Sequence, residues 1–333
     1  MLAAPISLPS DGASGPRPID LRKDADSVIK LLDLTFGSLS GAQGQRQIGD
    51  RVAINLDPPL LYRLTTLTWR FRPGIVWEED GNLIANVTLV KSEIPGRYLM
   101  ANVAVHPDFR RMGIGRQLLE EAVDYIKHLQ GRDILLQVRL HNSAAIRLYE
   151  SLGFYTLGAM GHWETTTSRL RTIQVNQTQA SPIRKLRTGE TKLAYELDRA
   201  SQNPDLSWPI ALVTKKYYRG LFSRLDDFLN AQNRETWVIE KPKADDRGTT
   251  IAGLIDLRSE WKRPMRLELR IHPDSKGSVE STLLSKGFDR FKSWRNGTIR
   301  MTHPAQDETV NDLLKASNFT RKETLQVMRL SLR

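Results

Sequence analysis

Residues 110–116, Arg-Arg-Met-Gly-Ile-Gly-Arg, place three arginines and two glycines in seven positions at the mouth of a helical pattern. The chemistry such a loop can do is to hold an anion. Glycine lets a backbone come close to a bound group. The first amides of a helix lack intrahelical acceptors and sit at the positive end of its dipole. Arg110, Arg111 and Arg116 add positive charge around Met112, Gly113, Ile114 and Gly115. The same glycines also suit a plain strand-to-helix turn, and the loop alone does not choose between the two. Downstream, Asn142 has the type and place of a helix N-cap, and the spacing of Tyr149 reads as an inner-face aromatic. The chain has no cysteine, which removes disulfides, thiolate metal sites and a cysteine nucleophile. The histidines at 106, 128, 141, 162, 272 and 303 show no i,i+4 pair, so no metal is expected.

The elements around these residues follow from periodicity. "RYLMANVAVH" reads as a strand feeding the loop, and "IGRQLLEEAVDYIKHL" has apolar residues at helical spacing. "DILLQVRL" is a second strand, and "NSAAIRLYESLG" a short helix opened by Asn142 or Ser143 and closed at Gly153. Upstream, "PIDLR" reads as a strand and "DADSVIKLLDLTFG" as a helix. "GIVWEEDGNLIANVTLV" reads as a hairpin with Gly81-Asn82 in its turn.

The pattern occurs twice. Leu21-Arg22 returns as Leu186-Arg187, the His-Pro-Asp at 106–108 returns at 272–274, and "ESLGFYTLG" from Glu150 is echoed by "KASNFTRKE" from Lys315. The near-constant offset predicts a duplicated domain. The expected division is a tail over 1–16, a first domain over 17–171, a linker over 172–181 and a second domain over 182–333. Each domain is read as mixed α/β, a mostly antiparallel sheet flanked by helices.

With these motifs in hand, the sequence resembles the GNAT superfamily of acetyl-CoA-dependent N-acyltransferases. "RRMGIG" matches that family's R/Q-x-x-G-x-G/A loop, "MANVAVHPDFR" its preceding strand, and Asn142, Ala145, Tyr149, Gly153 and Phe154 its Asn-x-x-Ala-x-x-x-Tyr-x-x-x-Gly-Phe pattern. The resemblance covers about residues 17–168. It implies that the amides of 111–116 hold the CoA diphosphate. It also implies that the strand edge at Val103, Ala104 and Val105 pairs with the pantetheine amides, that Asn142 touches the same arm, and that this strand splays from "ILLQVRL". Tyr149 becomes the candidate general acid, since a phenol of pKa about 10 keeps its proton at neutral pH. Direct attack by an amine in a ternary complex is the implied route. No general base stands out: "YLMANVAV" carries no carboxylate, leaving Glu78, His141, His162 and Glu164 as weak candidates.

In the second repeat "KGSVES" replaces "RRMGIG", so that Val279 and Ser281 stand for the two glycines, Asp307 for Asn142 and Leu314 for Tyr149. That half is expected to be degenerate, structural and without a CoA site. The expected reaction is acetylation of a primary amine on a small molecule or peptide. The rival is a non-catalytic acyl-CoA-binding or nucleic-acid-associated regulator. The segment over 34–64 is expected to form a lid on the acceptor side.

Net charge is +11 over 333 residues and the isoelectric point is near 9.8. The basic residues are scattered rather than in blocks, so nucleic acid is not the expected partner. No apolar run reaches the roughly 18 to 20 residues that cross a bilayer, and the N-terminus lacks a signal-peptide pattern. A cytoplasmic protein, monomer or homodimer, is expected.

Overall fold

The computed structural model describes residues 14–36, 74–92, 94–173, 182–201, 203–206, 217, 232–242, 248–261 and 263–332. Among them the elements run β1 (Gly15–Pro18), α1 (Leu21–Phe36), β2 (Gly74–Glu79), β3 (Asn82–Lys91), β4 (Arg97–Val105), α2 (Ile114–His128), β5 (Asp133–Arg139), α3 (Ser143–Ser151) and β6 (Tyr155–Thr166). There follow β7 (Ile183–Lys185), α4 (Thr191–Ser201), β8 (Gln232–Pro242), β9 (Thr249–Glu260), β10 (Met265–Ile271), α5 (Glu280–Trp294), β11 (Thr298–Pro304), α6 (Glu308–Ala316) and β12 (Thr320–Ser331). Most of the expected lid and of the linker lies outside the described residues; the lid's first residues, Leu34 to Phe36, end α1.

The chain forms two compact units. The first takes the described residues up to Leu157 and again from Val327; the second takes Gly158 to Gln326. These units are not the sequence repeats cut at 171 and 182. Most of β6 belongs to the second unit, and the end of β12 belongs to the first.

In the first unit β1 to β4 pair antiparallel in chain order, and β4 pairs parallel with β5. Alternate residues of β3 and β4 face α2, whose Leu118, Leu119, Ala122 and Ile126 are fully buried with Ile75, Val87, Leu89 and Met100. The other face receives Leu31 and Leu32 of α1, packed with Ala104. From the end of β12, Met328 enters the α2-side core, and the Leu332 amide donates to the Arg132 carbonyl at 2.7 Å. A buried carboxylate ties these strands: Asp133 takes Arg97 at 2.7 and 2.9 Å and Arg329 at 2.8 Å. Two details differ from the sequence reading. The hairpin turn is Asp80-Gly81, both at positive φ (47° and 75°), as a two-residue turn matching strand twist requires, so Asn82 opens β3. The first strand begins at Gly15, inside the expected tail, and "PIDLR" mostly leads into α1.

The second unit repeats the plan. β7 to β10 are antiparallel, β10 pairs parallel with β11, and β11 pairs antiparallel with β6 over Met160–Thr166. Leu283, Leu284, Phe288 and Phe291 of α5 form its core with Ile255, Leu257, Leu267 and Ile299. The two repeats share even their punctuation. His106 and His272 each accept an amide two residues on, from Asp108 and Asp274, at 3.4 and 3.3 Å. Asn142 and Asp307 cap their helices through the amides of Ala145 and Val310, each at 3.2 Å. Both helices end on a left-handed residue, Gly153 (φ 90°) or Asn318 (φ 65°).

Candidate functional site

The loop between β4 and α2 begins with a short turn, Pro107–Phe109, and reaches the helix through Gly113 at φ 84°. An L side chain is strained in that conformation. Arg111, at φ 66°, turns the backbone the same way two residues earlier. The backbone acceptors of this region serve Phe109, Arg110, Arg116 and Gln117. The amides of Arg111, Met112, Gly113, Ile114 and Gly115 find no acceptor among the described residues. Five successive donors at a helix start are what an anion needs. A Cβ on Gly115 would meet Val105 Cγ2 at 3.5 Å and Leu148 Cδ2 at 3.7 Å. Those are ordinary contacts, so the chain's own packing does not demand glycine there, whereas close approach by a ligand does. The donors and the open glycine together fit a diphosphate.

Two of the three arginines are tied to neighbouring groups. Arg110 Nε donates to the Val105 carbonyl at 3.1 Å. Arg116 bonds Ser151 at 2.5 Å and Glu120 at 3.3 Å. Arg111 alone of the three makes no side-chain bond to a described residue. The Arg116–Ser151 bond fixes the start of α2 beside the end of α3, the helix that carries Tyr149.

β4 and β5 are paired only from Arg97–Asp133 to Met100–Leu136. Beyond that they part, and the β5-side edge of Val103–Val105 has no strand partner among the described residues. The splay inferred from the resemblance is therefore present. So are the loop, the strand edge and α3 in one unit.

Tyr149 is 6 % exposed, stacked edge-on against Phe154 at 5.8 Å. Its hydroxyl bonds no described residue, yet it is not among the sealed polar atoms that lack a partner. Burial pushes its pKa above the usual phenol value, because the phenolate would lose hydration. Asn142 is exposed and realises its capping role. Of the weak base candidates, Glu78 is held by Arg17 at 2.6 Å. His162 and Glu164 belong to the second unit, bonded to Thr302 at 3.2 Å and Arg300 at 2.9 Å. No three metal-ligating side chains cluster among the described residues, and none of their helices is long and apolar enough to cross a membrane.

The corresponding loop of the second unit keeps one feature and reverses another. Gly277, at φ 83°, repeats the Arg111 conformation, but Val279 stands at φ −120° where Gly113 is left-handed. The buried carboxylate of Glu280 accepts the Gly277 amide at 2.7 Å and the Val279 amide at 3.0 Å. This loop supplies its own anion. Sequence reading missed Glu280. The signal available was a carboxylate at the helix's first position, where the first repeat has Ile114.

The Acetyltransferase (GNAT) family model matches residues 50–154. The N-alpha-acetyltransferase RimI of Mycobacterium tuberculosis is 39% identical over 131 residues, 38% of this chain and 80% of that protein. The [Ribosomal protein bS18]-alanine N-acetyltransferase of Escherichia coli K12 is 51% identical over 53 residues, 16% of this chain. That match spans only 36% of the relative's own length. A GCN5-related N-acetyltransferase from Sphaerobacter thermophilus superposes over 98% of each chain with a TM-score of 0.64 at 14% identity, a likeness of fold across both halves. Loop, splayed strands, capped helix and these relatives agree: this chain belongs to the GNAT acetyltransferase family, as a tandem of two such folds.

Proposed function

We propose that the first repeat, residues 17–171, transfers an acetyl group from acetyl-CoA to a primary amine, and that the second, 182–333, is structural. The observation that carries this reading is the contrast between the loops. One presents five unpartnered amides; in the other, Glu280 takes two of the corresponding five, at Gly277 and Val279, and the Ser275 carbonyl takes a third, at Ser278. Bound acetyl-CoA supplies an activated thioester. The amides of 111–115, with Arg111, hold its diphosphate, and the unpaired edge of Val103–Val105 offers backbone groups to the pantetheine arm, with Asn142 beside it. Tyr149, kept protonated by burial, gives its proton to the departing sulfur. A phenol of raised pKa is a weak acid, but a thiolate in the same dry surroundings is correspondingly more basic. With no cysteine in the chain, an acyl-cysteine is impossible, and the amine attacks directly. Holding both reactants together contributes up to roughly 7 to 11 kcal/mol in well-oriented cases.

For the acceptor, the names of the relatives point to α-amino groups of proteins. An α-amine titrates near pH 7.7 to 8.0, against about 10.4 for lysine. At pH 7 roughly a tenth to a sixth of it is uncharged, some hundreds of times the fraction for a lysine, which suits a strand β4 without a carboxylate. Thiol release with a peptide panel tests this. Transfer to free peptide N-termini, and none to N-terminally blocked lysine peptides, is the expected result. Tight acetyl-CoA binding without transfer to any amine would instead make the protein a non-catalytic binder, and strongly salt-dependent nucleic-acid affinity would make it a regulator.

A further inference from the structure

The bend that sets the course of β4 depends on a residue outside the expected site. Thr88 of β3 stands opposite Ala101 and Asn86 opposite Ala104, so Asn102 and Val103 share the single partner position of Val87. Asn102 sits at φ 51°, a conformation that asparagine tolerates best after glycine. An inserted residue reverses which face every later side chain takes. Before the bend Met100 lies in the α2-side core; after it Val105 does, while Ala104 turns to Leu31 and Leu32 of α1. The bend is therefore what brings Val105 against Gly115, at the foot of the glycine loop.

Asn86 holds this bend. It is fully buried, and its Nδ2 donates to the Asn102 carbonyl at 2.9 Å and lies 3.4 Å from Thr88 Oγ1. Asn102 Nδ2 donates to the same Thr88 hydroxyl at 3.3 Å. The other end of Asn86 is unsatisfied: Oδ1 is buried with no partner among the described residues. A buried acceptor without a donor disfavours the folded state. An apolar side chain facing Ala104 and α1 would remove that penalty in exchange for the bond to the Asn102 carbonyl, two effects of similar size, so stability alone gives little reason for asparagine here. We propose that Asn86 is a positioning residue for the transfer. Through the Asn102 carbonyl it fixes the register of Val103–Val105 against the loop and so aligns the acetyl donor. This rests on the acetyltransferase reading above.

Three variants test it, each measured for acetyl-CoA affinity, turnover and thermal midpoint. Asn86→Val should keep a midpoint close to wild type while kcat/KM for acetyl-CoA falls about tenfold or more, since misplacement by ~1 Å costs on the order of 100-fold. Asn102→Val, which cannot hold the left-handed conformation, should lose activity similarly. Asn102→Gly, which can, should stay within about threefold of wild type because it preserves the backbone. A standstill in stability with a fall in rate is the signature that a merely structural role would not give. Full activity in Asn86→Val and Asn102→Val would overturn the inference, as would losses that simply follow the folded fraction. Wild type that neither binds acetyl-CoA nor transfers acetyl would overturn both this and the transferase reading; wild-type transfer with unimpaired variants would overturn this alone.

Discussion

At the scale of single residues, Tyr149 does two things that spacing could not separate. Its ring packs against Phe154 in the core, and its hydroxyl bonds no described residue. Tyr149→Phe therefore removes no internal hydrogen bond, and thermal stability should hardly change. If the phenol is the proton donor, kcat should fall by roughly 100-fold or more with acetyl-CoA affinity unchanged, the usual scale for a lost general acid. The pH dependence has a definite sign. Burial raises the Tyr149 pKa above that of an ordinary phenol. The wild-type rate should thus show no loss from Tyr149 ionisation through pH 9, and any such loss should begin only above the ordinary phenol value. A Tyr149→Phe enzyme with full turnover would remove the acid role. Asn142 shows the same doubling, and there the structure displays only the cap.

At the scale of elements, the last strand carries the sharpest test. Met328 is fully buried in the first unit's core, and Arg329 bonds Asp133. Met328→Ala should destabilise that unit by about 2 to 5 kcal/mol, the range for truncating a buried methionine, read by denaturant unfolding and by loss of acetyl-CoA binding. The sequence made much of the rest legible. Helical spacing from 114 to 129, the His-Pro-Asp turns and the Asn142 and Asp307 caps are local signals, and α2, α3 and α6 stand where they predict. What escaped was non-local. The exchange of strand ends at Leu157 and Val327 depends on which sheet edge each strand meets, and nothing within β6 or β12 encodes that. The β4 bend escaped because Asn102 reads as an ordinary polar residue in an alternating strand, and its meaning appears only opposite Asn86 and Thr88. Glu280 escaped because an acid at a helix start is commonplace, and only the folded loop shows its carboxylate closing on the Gly277 and Val279 amides.

At the scale of the whole molecule, duplication produced two copies of one fold with opposite treatment of one loop. The first copy leaves its amides open and keeps glycine at the left-handed position. The second closes its own carboxylate on the Gly277 and Val279 amides and moves Val279 out of that conformation. The net charge of +11 favours acidic ligands in general, so charge alone would not distinguish the two copies; the loops do. Calorimetric titration of the full chain with acetyl-CoA, beside the Gly113→Val variant that imitates the second loop, tests this most directly. One acetyl-CoA per wild-type chain and none for the variant is the expected result. Two per chain, or undiminished binding by Gly113→Val, would contradict it.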